Sequence, residues 1–108
     1  MTERQSQFLG ILNRAGKIAF GQSAFGKGKK ISLLLLSEDA SELTQKEARS
    51  FAGKFGLKIE SVKTKAELGK PFGYEAISLV AILDRKAAKA FLEKGAQQAG
   101  KELRNEEE

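Results

Sequence analysis

The chain has no cysteine and no histidine among its 108 residues. Without cysteine there is no disulfide, no thiolate nucleophile and no cysteine-based zinc site, and the chain suits a reducing compartment. Without histidine the commonest general base and the commonest metal ligand are missing, along with every Ser/His or Cys/His catalytic arrangement. An enzyme built from the remainder would rely on carboxylates, lysines or backbone dipoles. Long hydrophobic runs are also missing. The longest aliphatic run, Leu33 to Leu36, is far below membrane-spanning length, and the opening Met1-Thr2-Glu3-Arg4-Gln5-Ser6-Gln7 has no apolar signal core. A cytoplasmic chain with no membrane partner is the expectation. The third scarcity is of acid. No Asp or Glu lies between Arg4 and Ser37, so Arg4, Arg14, Lys17, Lys27, Lys29 and Lys30 give that stretch +6, and the rest of the chain nets about −1. A one-signed segment in a small chain favours a polyanionic partner, most often nucleic acid, over the plainer alternative of a solvated basic face.

What is present fills one domain. A hydrophobic content of 41% over 108 residues supports one core and is too little for two independently folded units. The expectation is a single RNA-binding domain over 1–108, with a folded core of about 5–100 and a frayed acidic tail over 101–108. Phe8, Leu9, Ile11, Leu12 and Ala15 recur at helical spacing, which predicts a helix from about Gln5 to Ala15. Lys17 to Phe20 reads as a short strand. Gly21 to Lys30 is rich in glycine and lysine, with a helical turn or two at Gln22 to Gly26. Ile31 to Leu36 is apolar on both faces, as in a central strand covered from both sides. Glu42 to Phe55 is helical, with Ser41 as its cap and Gly56 as its stop. Leu57 to Val62 alternates as a half-buried strand. Thr64 to Leu68 supplies a turn or two of helix before the loop Gly69-Lys70-Pro71-Phe72-Gly73. Ala76 to Leu83 is another buried strand, and Asp84 is placed to cap a last helix with Ala87, Ala88, Phe91, Leu92 and Ala96 on its apolar side. This alternation predicts an α/β fold: a three-layer α/β/α sandwich.

Three constellations bear on chemistry. Gly21-Gln22-Ser23-Ala24-Phe25-Gly26-Lys27 has two glycines and a lysine at the spacing of a phosphate-cradling loop. However, Gly28 stands where such a loop needs the Ser or Thr hydroxyl that holds magnesium, so an NTPase is a distant alternative. Glu38 and Asp39 follow a strand, where ligand-binding acids often sit, but adjacent carboxylates seldom converge on one ligand. Their simpler role is to offset the dipole at the start of the next helix. The glycines Gly21, Gly26 and Gly28, with Lys27, Lys29 and Lys30 among them, allow backbone and ammonium groups to approach phosphates closely. In the second loop, Leu68 and Phe72 either present apolar surface to an unstacked base or plug the core, with Phe72 reading as core when taken alone.

The order of segments carries a resemblance. Arg14-Ala15-Gly16-Lys17 is followed by Gly21, by the apolar strand entering Ser37-Glu38-Asp39-Ala40-Ser41, by Lys65-Ala66-Glu67-Leu68-Gly69 with Gly73, and by a strand ending at Asp84. Over about residues 5 to 95 this is similar to the kink-turn-binding ribosomal protein family of L-seven-Ae and L-thirty-e type, in particular its bacterial YlxQ-like branch. The resemblance implies a mixed sheet of about four strands, no catalysis and no cofactor. It also implies binding to the sharply bent internal loop of structured RNA, ribosomal RNA among the candidates. Carried over, Gly21 matches the family glycine, Lys27 its phosphate-contacting lysine, and Leu68 and Gly69 its second loop. Ser23 and Ala24 stand where the archaeal pattern has the Asn and Glu that hydrogen-bond guanines. The stretch before the Ile31 strand is about three residues short, so Lys29 or Lys30 can take the role of Lys27. The expected RNA surface is Arg14, Lys17, Gly21, Gln22, Ser23, Lys27, Lys29, Lys30, Lys65, Leu68, Gly69, Lys70 and Phe72. A module of the same fold that docks on ribosomal or other proteins is the alternative.

Overall fold

A capping box opens the first helix, α1 (Glu3–Arg14). Thr2 Oγ1 accepts from the Gln5 amide at 3.1 Å and Gln5 Oε1 accepts from the Thr2 amide at 2.9 Å. Two donors that a helix start leaves open are thereby satisfied, which is why α1 begins two residues ahead of the expected Gln5. The computed structural model describes the backbone of residues 1–107 and the side chains of residues 1–96. After α1 come β1 (Ile18–Phe20), a 3-10 segment (Gly21–Lys30), β2 (Leu33–Ser37), α2 (Glu42–Phe55), β3 (Ile59–Val62), α3 (Lys65–Gly69), a 3-10 turn (Lys70–Phe72), β4 (Leu79–Ile82) and α4 (Arg85–Glu107). The acidic tail expected to fray, 101–108, lies outside the fully described residues. Among the described residues, no helix is long and apolar enough to cross a membrane.

The four strands form one mixed sheet in the order β1-β4-β2-β3. β4 is antiparallel to both β1 and β2, with Phe20 and Leu35 each opposite Val80, and β2 is parallel to β3. It follows that β1, β2 and β3 run the same way, and their carboxyl ends share one end of the sheet with the start of β4.

β2 is buried along its whole length and feeds both cores. Leu33 and Leu35 pack with Leu9, Leu12, Leu68 and Phe91 on the α1/α4 side. Leu34 and Leu36 pack with Ala24, Ala48, Ala52 and Leu79 on the α2 side. Each such leucine contributes about 1.5–3 kcal/mol by leaving water, and helices on both faces give the predicted three-layer sandwich. Gly56, at φ 66°, ends α2 in the left-handed conformation that only glycine adopts without strain. Asp84 Oδ1 accepts from the Ala87 amide at 3.0 Å and opens α4. Two details differ from the pattern reading. Val62, which alternation groups with Lys58 and Glu60, is buried in the α1/α4 core, and Ala96 is exposed.

Candidate nucleic-acid interface

At Phe20 the edge strand stops and the chain turns sharply through Gly21, whose φ of 60° a side chain would strain. The turn puts Gln22 beside the start of α2, where Gln22 Nε2 donates to Thr44 Oγ1 at 3.2 Å. Ser41 Oγ also donates to Thr44 Oγ1 at 3.0 Å and accepts from the Thr44 amide at 3.2 Å, which makes it the expected cap of α2. Asp39 serves a different helix from the one expected. Its Oδ1 accepts from the Lys65 amide at 2.9 Å, so its charge sits at the start of α3 rather than α2. Phe20 meets Phe72 edge-on at 5.0 Å between ring centroids and Tyr74 at 5.7 Å. These contacts gather three stretches, 20–23, 38–44 and 65–74, at the carboxyl ends of β1, β2 and β3, the place where open α/β sheets present ligand sites.

The cations converge only in part. Arg14 and Lys70 line a shallow cleft of about 370 Å³ between α1 and the 3-10 turn, with Ser6, Gln7, Gly10 and Pro71. Lys65 lies at the start of α3 on the same end of the sheet. Lys17 sits at the opposite end, just before β1, and its Nζ is 2.8 Å from Asp84 Oδ2. The hydrogen bond from Lys17, aided by the Ala87 amide, holds the Asp84 carboxyl below the usual carboxylate range. Lys27, Lys29 and Lys30 are exposed at the far end of the 3-10 segment, which breaks its helical geometry at Gly28. At about 2 Å of rise per residue, Lys27 lies about 12 Å along the segment from Gly21, and Lys29 and Lys30 follow the kink at Gly28. These lysines form a track leading away from the turn.

Several expected contacts are corrected by burial. Leu68 is fully enclosed in the α1/α4 core, so its side chain cannot meet an unstacked base. Gly69 is buried as well. A Cβ there would fall 2.7 Å from the Tyr74 carbonyl oxygen, so its role is to let two backbone stretches touch. Phe72 is half-buried against Phe20. Ser23 is exposed, but its Oγ donates to the Phe20 carbonyl at 2.7 Å and braces the turn. Ala24, the position the resemblance aligns with a guanine-reading carboxylate, is 0% exposed and packs among Leu34, Leu36 and Ala48. A base cannot reach it. The phosphate-loop reading fails on geometry too, because Gly21 to Lys27 coils as a 3-10 segment instead of forming a glycine loop ahead of an α-helix.

Sequence reasoning missed Tyr74 and the bridging role of Asp39. Tyr74 is the sole tyrosine, follows Gly73 in a loop, and is 55% exposed, so an aromatic at a loop tip was the available signal. The contact from Asp39 to Lys65 spans 26 residues and has no local signature.

No family model matches the chain. It is 34% identical over 80 residues to the RNA-binding protein YlxQ of Bacillus subtilis (strain 168), a match that covers 71% of this chain and 80% of that protein. A solved structure of a protein of unknown function from Bacillus halodurans superposes with a TM-score of 0.76 at 20% identity, covering 84% of this chain and 95% of that one. At that identity the superposition speaks for the fold alone.

Proposed function

The chain belongs to the YlxQ-like family, and from that premise we propose that it binds structured RNA, without catalysis, at a kink-turn-like bend. The observation that carries this reading is the convergence of Gly21–Gln22, Asp39–Ser41 and Lys65–Tyr74 at one end of the sheet. Gly21 presents bare backbone to which a sugar-phosphate chain can come close. Arg14, Lys65 and Lys70 supply cations for phosphates on either side of the bend. Phe72 and Tyr74 offer aromatic edges to a base that the bend has unstacked. Lys27, Lys29 and Lys30 hold the phosphates of a flanking helix by charge alone. With Ala24 enclosed, directed readout of guanines is absent from that position, and selectivity rests on backbone shape. The whole chain acts as one RNA-binding unit in the cytoplasm, associated with the ribosome or translation, with ribosomal RNA the first candidate partner.

The test is a binding titration of the purified chain against a kink-turn RNA and a plain duplex at several salt concentrations. Bend-selective binding whose logarithm falls linearly with the logarithm of salt is the expected result. Absence of RNA binding at low salt would overturn it. It would then promote the second reading, a module that docks on ribosomal or other proteins, favoured by Ile11, a large apolar side chain on α1 that is 57% exposed.

A further inference from the structure

On the opposite layer from α1, the 3-10 segment and α2 enclose an open groove of about 550 Å³ lined by Phe25, Leu43, Lys46, Phe51 and Lys54, with Glu47 and Ser50. Three rings run in a row along it. Phe25 stacks on Phe51 with centroids 4.5 Å apart and planes at 22°, and Phe51 continues to Phe55 at 4.6 Å and 37°. Lys54 Nζ lies 5.7 Å from the Phe55 ring centroid. The Phe25–Phe51 pair is enough to tie the 3-10 segment to α2. Leu43, at 66% exposed, and Phe55, at 37%, nevertheless leave apolar surface in water along the strip. An exposed apolar strip of this kind marks a contact surface.

Charge and continuity select the occupant. The groove is lined by Lys46 and Lys54 against Glu47, and the 3-10 segment on its other side adds the exposed Lys27, Lys29 and Lys30. Aromatic planes set in a basic surface are what unpaired nucleic acid needs: rings for its bases and ammonium groups for its backbone. The groove also begins where the candidate RNA interface ends. Leu43 adjoins Thr44, which bonds Gln22, and from Leu43 to Lys54 the groove follows α2 for about 16 Å.

We infer that this groove takes unpaired bases of the bound RNA, a single-stranded segment leaving the bend and adding a base to the Phe25–Phe51–Phe55 row as a further aromatic plane. The inference rests on the RNA-binding reading above, but its test can fail separately. A kink-turn hairpin with blunt ends is compared with the same hairpin carrying six unpaired uridines, by fluorescence anisotropy on the full chain. The extension is expected to tighten binding about 5-fold or more, since one stacked base contributes that much. Phe55→Ser should abolish this advantage and leave the blunt hairpin's affinity unchanged. Lys46→Gln with Lys54→Gln, which removes no apolar contact, should reduce it if the serine variant folds poorly. No advantage in the parent chain, or an equal advantage in both variants, overturns the inference. So does a dimer of the parent chain that the serine variant dissociates, because the groove is then a protein interface. If the blunt hairpin does not bind at all, the bend reading fails, and the groove is judged on the free uridine hexamer. Binding of the hexamer that Phe55→Ser weakens supports the groove, and no binding overturns it.

Discussion

At Ala24 a methyl group fills the space between the 3-10 segment and the strands beneath it. Ala24→Glu would force a carboxylate into that apolar layer without a partner. The expected cost is several kcal/mol in a denaturant titration, whereas Ser23→Asn, at an exposed neighbour, should cost no more than about 1 kcal/mol, the worth of its hydrogen bond to the Phe20 carbonyl. A glutamate variant as stable as the parent would mean that Ala24 is not enclosed. The Lys17–Asp84 pair gives a second test. Because the folded carboxyl titrates below its usual range, its contribution to stability is present at neutral pH and disappears as pH falls through the lowered value. Lys17→Met should raise the Asp84 titration midpoint in an NMR carboxyl titration, and an unmoved midpoint would contradict the assigned cause. The residue types of the site were legible where a residue type has one use. Gly21 in a turn and exposed lysines are examples. Leu68 was misread because an apolar residue beside a functional loop serves core and ligand equally well, and only burial separates the two.

Among the elements, α3 depends on a distant residue for its start. Asp39→Ala removes the carboxylate that accepts from the Lys65 amide and should cost about 1 kcal/mol, the usual worth of a helix-start acceptor, with the largest amide shifts in Lys65–Gly69. Gly69→Ala should cost about 1–3 kcal/mol, because its Cβ would press on the backbone of Tyr74–Ala76 at 2.7–3.2 Å. It should also weaken RNA binding by moving Tyr74. Helix α2 was legible to the residue, since Ser41 and Gly56 are local signals that act on their own neighbours. The strands were read too long for a physical reason. Leu57 still donates to Ala52 at the end of α2, and Ile77 donates to the Lys65 carbonyl, so backbone that looks β-like in sequence is committed elsewhere. The 3-10 segment keeps helical geometry from Gly21 to Lys27 before the kink at Gly28, slightly longer than the turn or two expected at Gln22 to Gly26.

For the molecule as a whole, the apolar run of β2 announced a sandwich covered on both faces, and the acid-free stretch from Arg4 to Ser37 underlies the proposal of a polyanionic partner. What sequence order could not supply was the grouping of cations. The fold leads Lys27, Lys29 and Lys30 away from the turn at Gly21, ties Lys17 to Asp84, and brings Arg14 to Lys70. If the three lysines hold phosphates of a flanking helix, replacing all three by alanine should flatten the salt dependence by up to about three units of slope and weaken binding to bent and straight RNA alike. The fold should be unaffected, as measured by thermal melting. The central claim is that the bend is gripped at the carboxyl ends of β1, β2 and β3. The most direct measurement is an amide chemical-shift map of the chain titrated with a kink-turn RNA. The largest shifts are expected in 20–23, 38–44 and 65–74, with Lys27–Lys30 responding to bent and straight RNA alike. Saturable binding that leaves those three stretches unmoved would contradict the account.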